Sequence, residues 1–122
     1  MKLRVLPDLL AVCRLEPDAA VPAWFPARGL RSATWTADEL SLICLDSSAP
    51  RSGRVERGWR ALMVEGPLDF ALTGVMSSLA SPLAAARISL FAISTFDTDY
   101  LLVRDLEGAL KALRGAGHSI ES

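Results

Sequence analysis

Histidine is almost missing from this chain. His118 is the only one, close to the C-terminus and without a neighbouring cysteine or acidic pair, which argues against a His-based triad or a zinc site. Cysteine is nearly as scarce. Cys13 and Cys44 each sit in an apolar, strand-like run and read as reduced core thiols, with a disulfide or a metal site as the alternatives. Long apolar runs are lacking too, since charge or proline interrupts each one well short of the ~18 residues of a membrane helix. Met1 to Asp8 carries basic residues but no apolar core leading to a small-residue cleavage site, so no signal peptide is expected and the cytoplasm is the expected compartment. The 13 basic and 14 acidic residues are mixed and give a net charge of −1, leaving no basic stripe for nucleic acid. Gly-x-Ser-x-Gly, Gly-x-Gly-x-x-Gly and Walker patterns are absent, and Ser77, Ser78 and Ser81 have no base nearby in the chain. No catalytic apparatus, metal or cofactor is expected.

What is present is apolar material. Hydrophobic residues make up 51% of the 122 positions and charged ones 22%, enough to build the core of one compact domain or of two very small modules sharing one. Leu9 to Leu15 reads as a strand closed by Glu16-Pro17-Asp18. From Asp18 to Phe25, Pro22 leaves room for only a turn or two of helix. Leu30 to Thr36 and Glu39 to Leu45 predict a hairpin around Ala37-Asp38, Ser47 to Gly53 a loop, and Trp59 to Glu65 another strand. Trp24, Trp35 and Trp59 are spread apart and fit core or dimer packing better than base stacking.

The second half is more regular. Leu72, Val75, Met76, Leu79 and Leu83 recur at helical spacing and predict an amphipathic helix over roughly 71–86, kinked at Pro82. Ile88 to Thr95 and Asp99 to Arg104 predict a strand pair. Asp105 is a good N-cap for a helix with Leu106, Ala109, Leu110 and Leu113 on its apolar face. Gly115 and Gly117 stop it, and His118 to Ile120 predicts a last edge strand. The order β-α-β-β-α-β is that of a ferredoxin-like α/β (α+β) sandwich. The halves also share a Thr–aromatic–x–x–Asp–x–Leu pattern, Thr34 to Leu40 against Thr95 to Leu101, which predicts a duplication.

A family comes into view on these residues. Val64-Glu65-Gly66-Pro67, then Gly74-Val75, Leu79-Ala80, Leu83-Ala84 and Ile88-Ser89, resemble the β1–loop–α1–β2 core of an ACT domain. The run Ile93 to Val103 resembles tandem ACT proteins similar to the CASTOR-type arginine sensors and to aspartate kinase regulatory domains. The resemblance implies two ACT-like modules, residues 1–60 (degenerate, with a short first helix) and 61–122, with a ligand at a module interface. It implies a non-catalytic regulatory or sensor protein for a small molecule, an amino acid by family habit. Its partners would be that ligand and a regulated protein, with no nucleic acid and no membrane, and the chain would form a homodimer.

The implied ligand-binding residues are Glu65, Gly66, Asp69, Gly74, Val75, Thr95, Phe96 and Asp99. A Gly-Pro turn frees backbone amides, and the helix start after it suits a carboxylate. Asp99 can accept bonds from an ammonium, and Phe96 can cover aliphatic atoms. On spacing alone the same residues also fit a plain hairpin, Gly74 fits helix–sheet packing, and Glu65 and Asp69 fit solvated charges. The arginine sensors carry an acidic residue where this chain has Leu72. That departure points to a smaller or more apolar amino acid, unless Asp69 reaches in from the same loop. The rival readings are an interaction module that docks on a separate enzyme with a vestigial pocket, and, well behind it, an enzyme on a versatile fold.

Overall fold

The computed structural model describes residues 1–69 and 73–121. The chain divides into two compact units, one formed by Met1–Pro7 with the chain from Arg60 onward, the other by Asp8–Trp59. Strand β1 (Lys2–Leu15) and strand β4 (Arg54–Val64) each contribute to both.

In the C-terminal unit the order after β4 is α1 (Val75–Ala85), β5 (Leu90–Ser94), β6 (Asp99–Val103), α2 (Leu106–Gly115) and β7 (Ser119–Glu121), the expected β-α-β-β-α-β succession. Strand β6 pairs antiparallel with β4, from Arg60↔Val103 to Met63↔Tyr100, and with β5, from Leu90↔Val103 to Ser94↔Asp99. A self-contained unit of this kind closes its last strand onto its first. Here β7 instead runs parallel to the start of β1, Lys2↔Ser119 to Arg4↔Glu121, and β1 is the strand beside β4. The reason is visible in the alternation of β1: Lys2 and Arg4 are exposed while Leu3 is fully buried, in one core with Leu62, Val64, Leu101 and Val103. Val75, Leu79 and Leu83 bring α1 to that core at four-residue spacing, and Ala109 and Leu113 bring α2.

Both helix boundaries have local causes. Asp105 accepts a 2.9 Å bond from the Gly108 amide, as an N-cap should. Gly117, at φ 97°, supplies the left-handed residue that ends α2. Helix α1 begins after Gly74, also left-handed at φ 77°, with no side-chain cap. Leu72 and the predicted start of the helix at residue 71 lie outside the described residues. Pro82 sits inside α1 and has no N–H for the Ser78 carbonyl four residues back. His118 Nε2 takes that carbonyl at 3.0 Å, so the only histidine of the chain completes a helix that a proline leaves one bond short.

The N-terminal unit pairs β1 with β3 (Leu40–Leu45), Leu10↔Leu45 to Leu15↔Leu40, and β3 with β2 (Ser32–Trp35), Ser32↔Ile43 to Trp35↔Leu40. The predicted hairpin is therefore present. The predicted helical turn between Asp18 and Phe25 is not: Pro17, Pro22 and Pro26 hold that stretch in turns, marked by Ala19 N→Glu16 O at 3.1 Å and Phe25 N→Pro22 O at 3.1 Å. The loop after β3 opens with a 3₁₀ turn, Asp46–Ser48, wrapped around Arg57 of β4. That guanidinium donates to Asp46 O at 2.9 Å, Asp46 Oδ1 at 3.0 Å, Ala49 O at 3.1 Å and to the Pro50 carbonyl.

Cys13 and Cys44 are free and buried on neighbouring strands, within a core that includes Ala11, Leu40 and Leu42. Burial pushes both thiols up, Cys44 to about 12. Each is further shifted by the other thiol, which lowers Cys13 and raises Cys44. Among the described residues no group of His, Cys, Asp or Glu could hold a metal ion, and no helix is long and apolar enough to cross a membrane.

Candidate functional site

The site lies where β4 and β6 part company. Their ladder ends at Met63↔Tyr100, and the chain after Val64 turns away through Gly66, whose bond to Pro67 is cis. Two hydrogen bonds keep the diverging segments together: Thr98 Oγ1 donates to Val64 O at 2.6 Å, and the Leu68 amide donates to Asp97 O at 2.7 Å. Beyond them opens a cavity of about 390 Å³. One wall is residues 68–69 and the start of α1, 74–76; the other is the β5–β6 turn, 94–99. All of these belong to the C-terminal unit.

Thr95 shapes the turn. Its amide donates to Thr98 O at 2.9 Å, and its hydroxyl bonds Thr98 O at 3.0 Å and receives the Thr98 amide at 3.3 Å. Asp99 begins β6 opposite Ser94, whose hydroxyl donates to Asp99 Oδ1 at 2.7 Å. Phe96, at the tip, is 79% exposed and borders the cavity, which settles that it is no core residue. The lining includes the carboxylates of Asp69, Asp97 and Asp99 and, among the described residues, no cationic side chain. The uncapped start of α1 supplies the complementary feature, backbone amides without intrahelical acceptors.

Of the sequence-predicted residues, Asp69, Gly74, Val75, Thr95, Phe96 and Asp99 are brought together around this cavity. Glu65 and Gly66 are not among its lining. The Glu65 carboxylate is 3.3 Å from Arg4, and its amide donates to Lys2 O at 2.9 Å. Gly66 is wedged beneath the turn, where a methyl group would meet Asp97 O at 3.0 Å and Thr98 Cβ at 3.2 Å. Sequence reasoning missed Leu68, Met76, Ser94, Asp97 and Thr98. Ser94 was findable as the strand partner of Asp99, whereas nothing in the sequence distinguishes Thr98 from an ordinary turn residue.

The matching hairpin of the N-terminal unit is built alike, but in a different register from the one its sequence implies. Thr36, not Thr34, makes the turn: its amide donates to Glu39 O at 2.9 Å, and its hydroxyl receives the amides of Asp38 at 3.1 Å and Glu39 at 3.0 Å. Thr36 thus corresponds to Thr95, and Leu40, fully buried, stands where the other hairpin has Asp99. The expected mirroring of Thr95 and Asp99 by Thr34 and Asp38 does not hold.

A 46-residue stretch is 48% identical to the human protein named cytosolic arginine sensor for mTORC1 subunit 1, and equally to the bovine one. The stretch is 37% of this chain and spans only 14% of the length of those relatives. The crystal structure of protein Atu0741 from Agrobacterium tumefaciens is similar over 98% of this chain and 90% of its own, with a TM-score of 0.91 and 43% identity. An aspartate kinase from Clostridium acetobutylicum shares the fold over 89% of this chain and 33% of its own, at 13% identity and a TM-score of 0.63. A family model of an N-terminal domain matches residues 8–52. The model of the ACT domain matches residues 54–115, just over half of the chain, and the chain therefore belongs to the ACT domain family.

Proposed function

We propose that this chain is a regulatory module that binds an amino acid in the cavity between α1 and the β5–β6 turn and performs no catalysis. The observation that carries the reading is the placement of Thr95, Phe96 and Asp99 across from the uncapped start of α1. The two walls together offer groups for both ends of an amino acid. Amides at a helix start attract a carboxylate, and an aspartate at the start of β6 attracts an ammonium. Phe96 covers aliphatic atoms between them. Glu65 and Gly66 act from behind, the first by tying the loop to β1 through Arg4 and the second by its lack of a side chain. Asp69 lines the same cavity, so the loop offers a carboxylate for a cationic ligand side chain even with leucine at position 72. The relatives named as arginine sensors make arginine the first ligand to test.

The rest of the reading follows the family. The two modules, expected at 1–60 and 61–122, derive from a duplication, with Met1–Pro7 belonging to the C-terminal unit, and the chain works in the cytoplasm as a homodimer that signals to a separate protein. The repeated Thr-built hairpin supports the duplication. Regulation arises because the ligand prefers one arrangement of the protein over another. A thermal-shift panel of the L-amino acids, with Asp99→Ala in parallel, tests the proposal. A ligand at ~100 times its Kd adds about 2.7 kcal/mol to the wild type, and the variant loses that gain. No shift with any amino acid overturns the proposal and moves the search to protein partners.

A further inference from the structure

We infer that Thr98 is a positioning residue for the ligand site: through its hydroxyl it sets the distance between the cavity's two walls. The inference rests on the binding reading above. Thr98 is the buried polar residue among the described ones, 7% exposed, and its hydroxyl donates to Val64 O at 2.6 Å. The location gives that bond its consequence. The β4–β6 ladder stops at Met63↔Tyr100, so the Val64 carbonyl lies just past the last backbone pair, and a side chain takes it instead. The bond fastens the root of one wall, the loop after β4, to the turn that forms the other.

Two further contacts act at the same joint. The Leu68 amide donates to Asp97 O at 2.7 Å, and Gly66 fits beneath the turn only because it has no Cβ, which would stand 3.0 Å from Asp97 O. Thr98, Gly66 and Leu68 therefore form a clasp at the floor of the cavity. Above it, Phe96 and Asp99 on one wall and Gly74 on the other are held at one spacing. A ligand that touches both walls depends on that spacing, because a displacement of either wall sacrifices contacts on one side.

The test compares wild type with Thr98→Ser, Thr98→Val and Gly66→Ala, titrated calorimetrically with L-arginine and then with the other L-amino acids singly. Hydrogen exchange at the Leu68 amide is followed in the absence of any amino acid. Thr98→Val removes the hydroxyl at constant shape and is expected to raise the Kd roughly tenfold and to speed exchange at Leu68. Thr98→Ser keeps the donor and binds as wild type does. Gly66→Ala spreads the clasp from the opposite wall with every hydroxyl intact, and weakens binding to a similar degree. A purely structural role would lower the ligand-free melting temperature of Thr98→Val and leave the Kd unchanged, and that result overturns the inference while the binding reading stands. A wild type that binds no amino acid overturns both.

Discussion

Asp105 and Gly108 show how closely two positions can constrain one another. The Asp105 carboxylate accepts the Gly108 amide at 2.9 Å, and a Cβ on residue 108 would sit 2.3 Å from Asp105 Oδ2. Alanine in a helix normally gains about 1 kcal/mol over glycine, but here it would displace the cap. Asp105→Ala is expected to cost about 1 kcal/mol in urea unfolding. Gly108→Ala alone should be neutral or destabilising, and in the Asp105→Ala background it should stabilise. That reversal of sign checks the account. The cap was legible in the sequence because its chemistry is local. Thr98 was not, since its partner, Val64, is set by where two strands separate. The Thr34/Thr95 match misled for a related reason: sequence spacing does not say which threonine closes a turn, and hydrogen bonding selects Thr36.

Among the elements, α1 carries the most instructive defect. Pro82 leaves the Ser78 carbonyl without its helical donor, and His118 Nε2 supplies one at 3.0 Å. His118→Ala should therefore destabilise the wild type by about 0.5–1 kcal/mol. In a Pro82→Ala background, where residue 82 regains its N–H, the same change should cost much less. A double-mutant cycle in urea reads this coupling directly, and additive costs would show that the histidine acts elsewhere. The helices, the β5–β6 hairpin and the last strand were legible because their periods of 3.6 and 2 are strong over residues 75–121. The helical turn allowed between Asp18 and Phe25 fails because three prolines occupy residues 17–26. The early start of β1 was hidden by Pro7 and by charged residues on its exposed face, which lower its apparent strand character.

For the molecule as a whole, the N-terminal strand changes how the second half should be regarded. Leu3 is fully buried in the core of the C-terminal unit, and β7 pairs with β1 rather than with β4. A boundary drawn from periodicity alone cannot see that pairing, because it depends on contacts between residues at opposite ends of the chain. Six of the residues named from the family resemblance line the cavity, yet the resemblance could not assign Glu65 to the ion pair with Arg4 or Gly66 to the clasp. The central claim is that an amino acid occupies the cavity between α1 and the β5–β6 turn. Backbone amide resonances followed by NMR during titration with L-arginine, and then with the other L-amino acids singly, test it most directly. The account predicts saturable shifts concentrated at Gly74 to Met76 and Thr95 to Asp99, lost in Asp99→Ala. Shifts confined to other parts of the chain, or none with any amino acid, would contradict it.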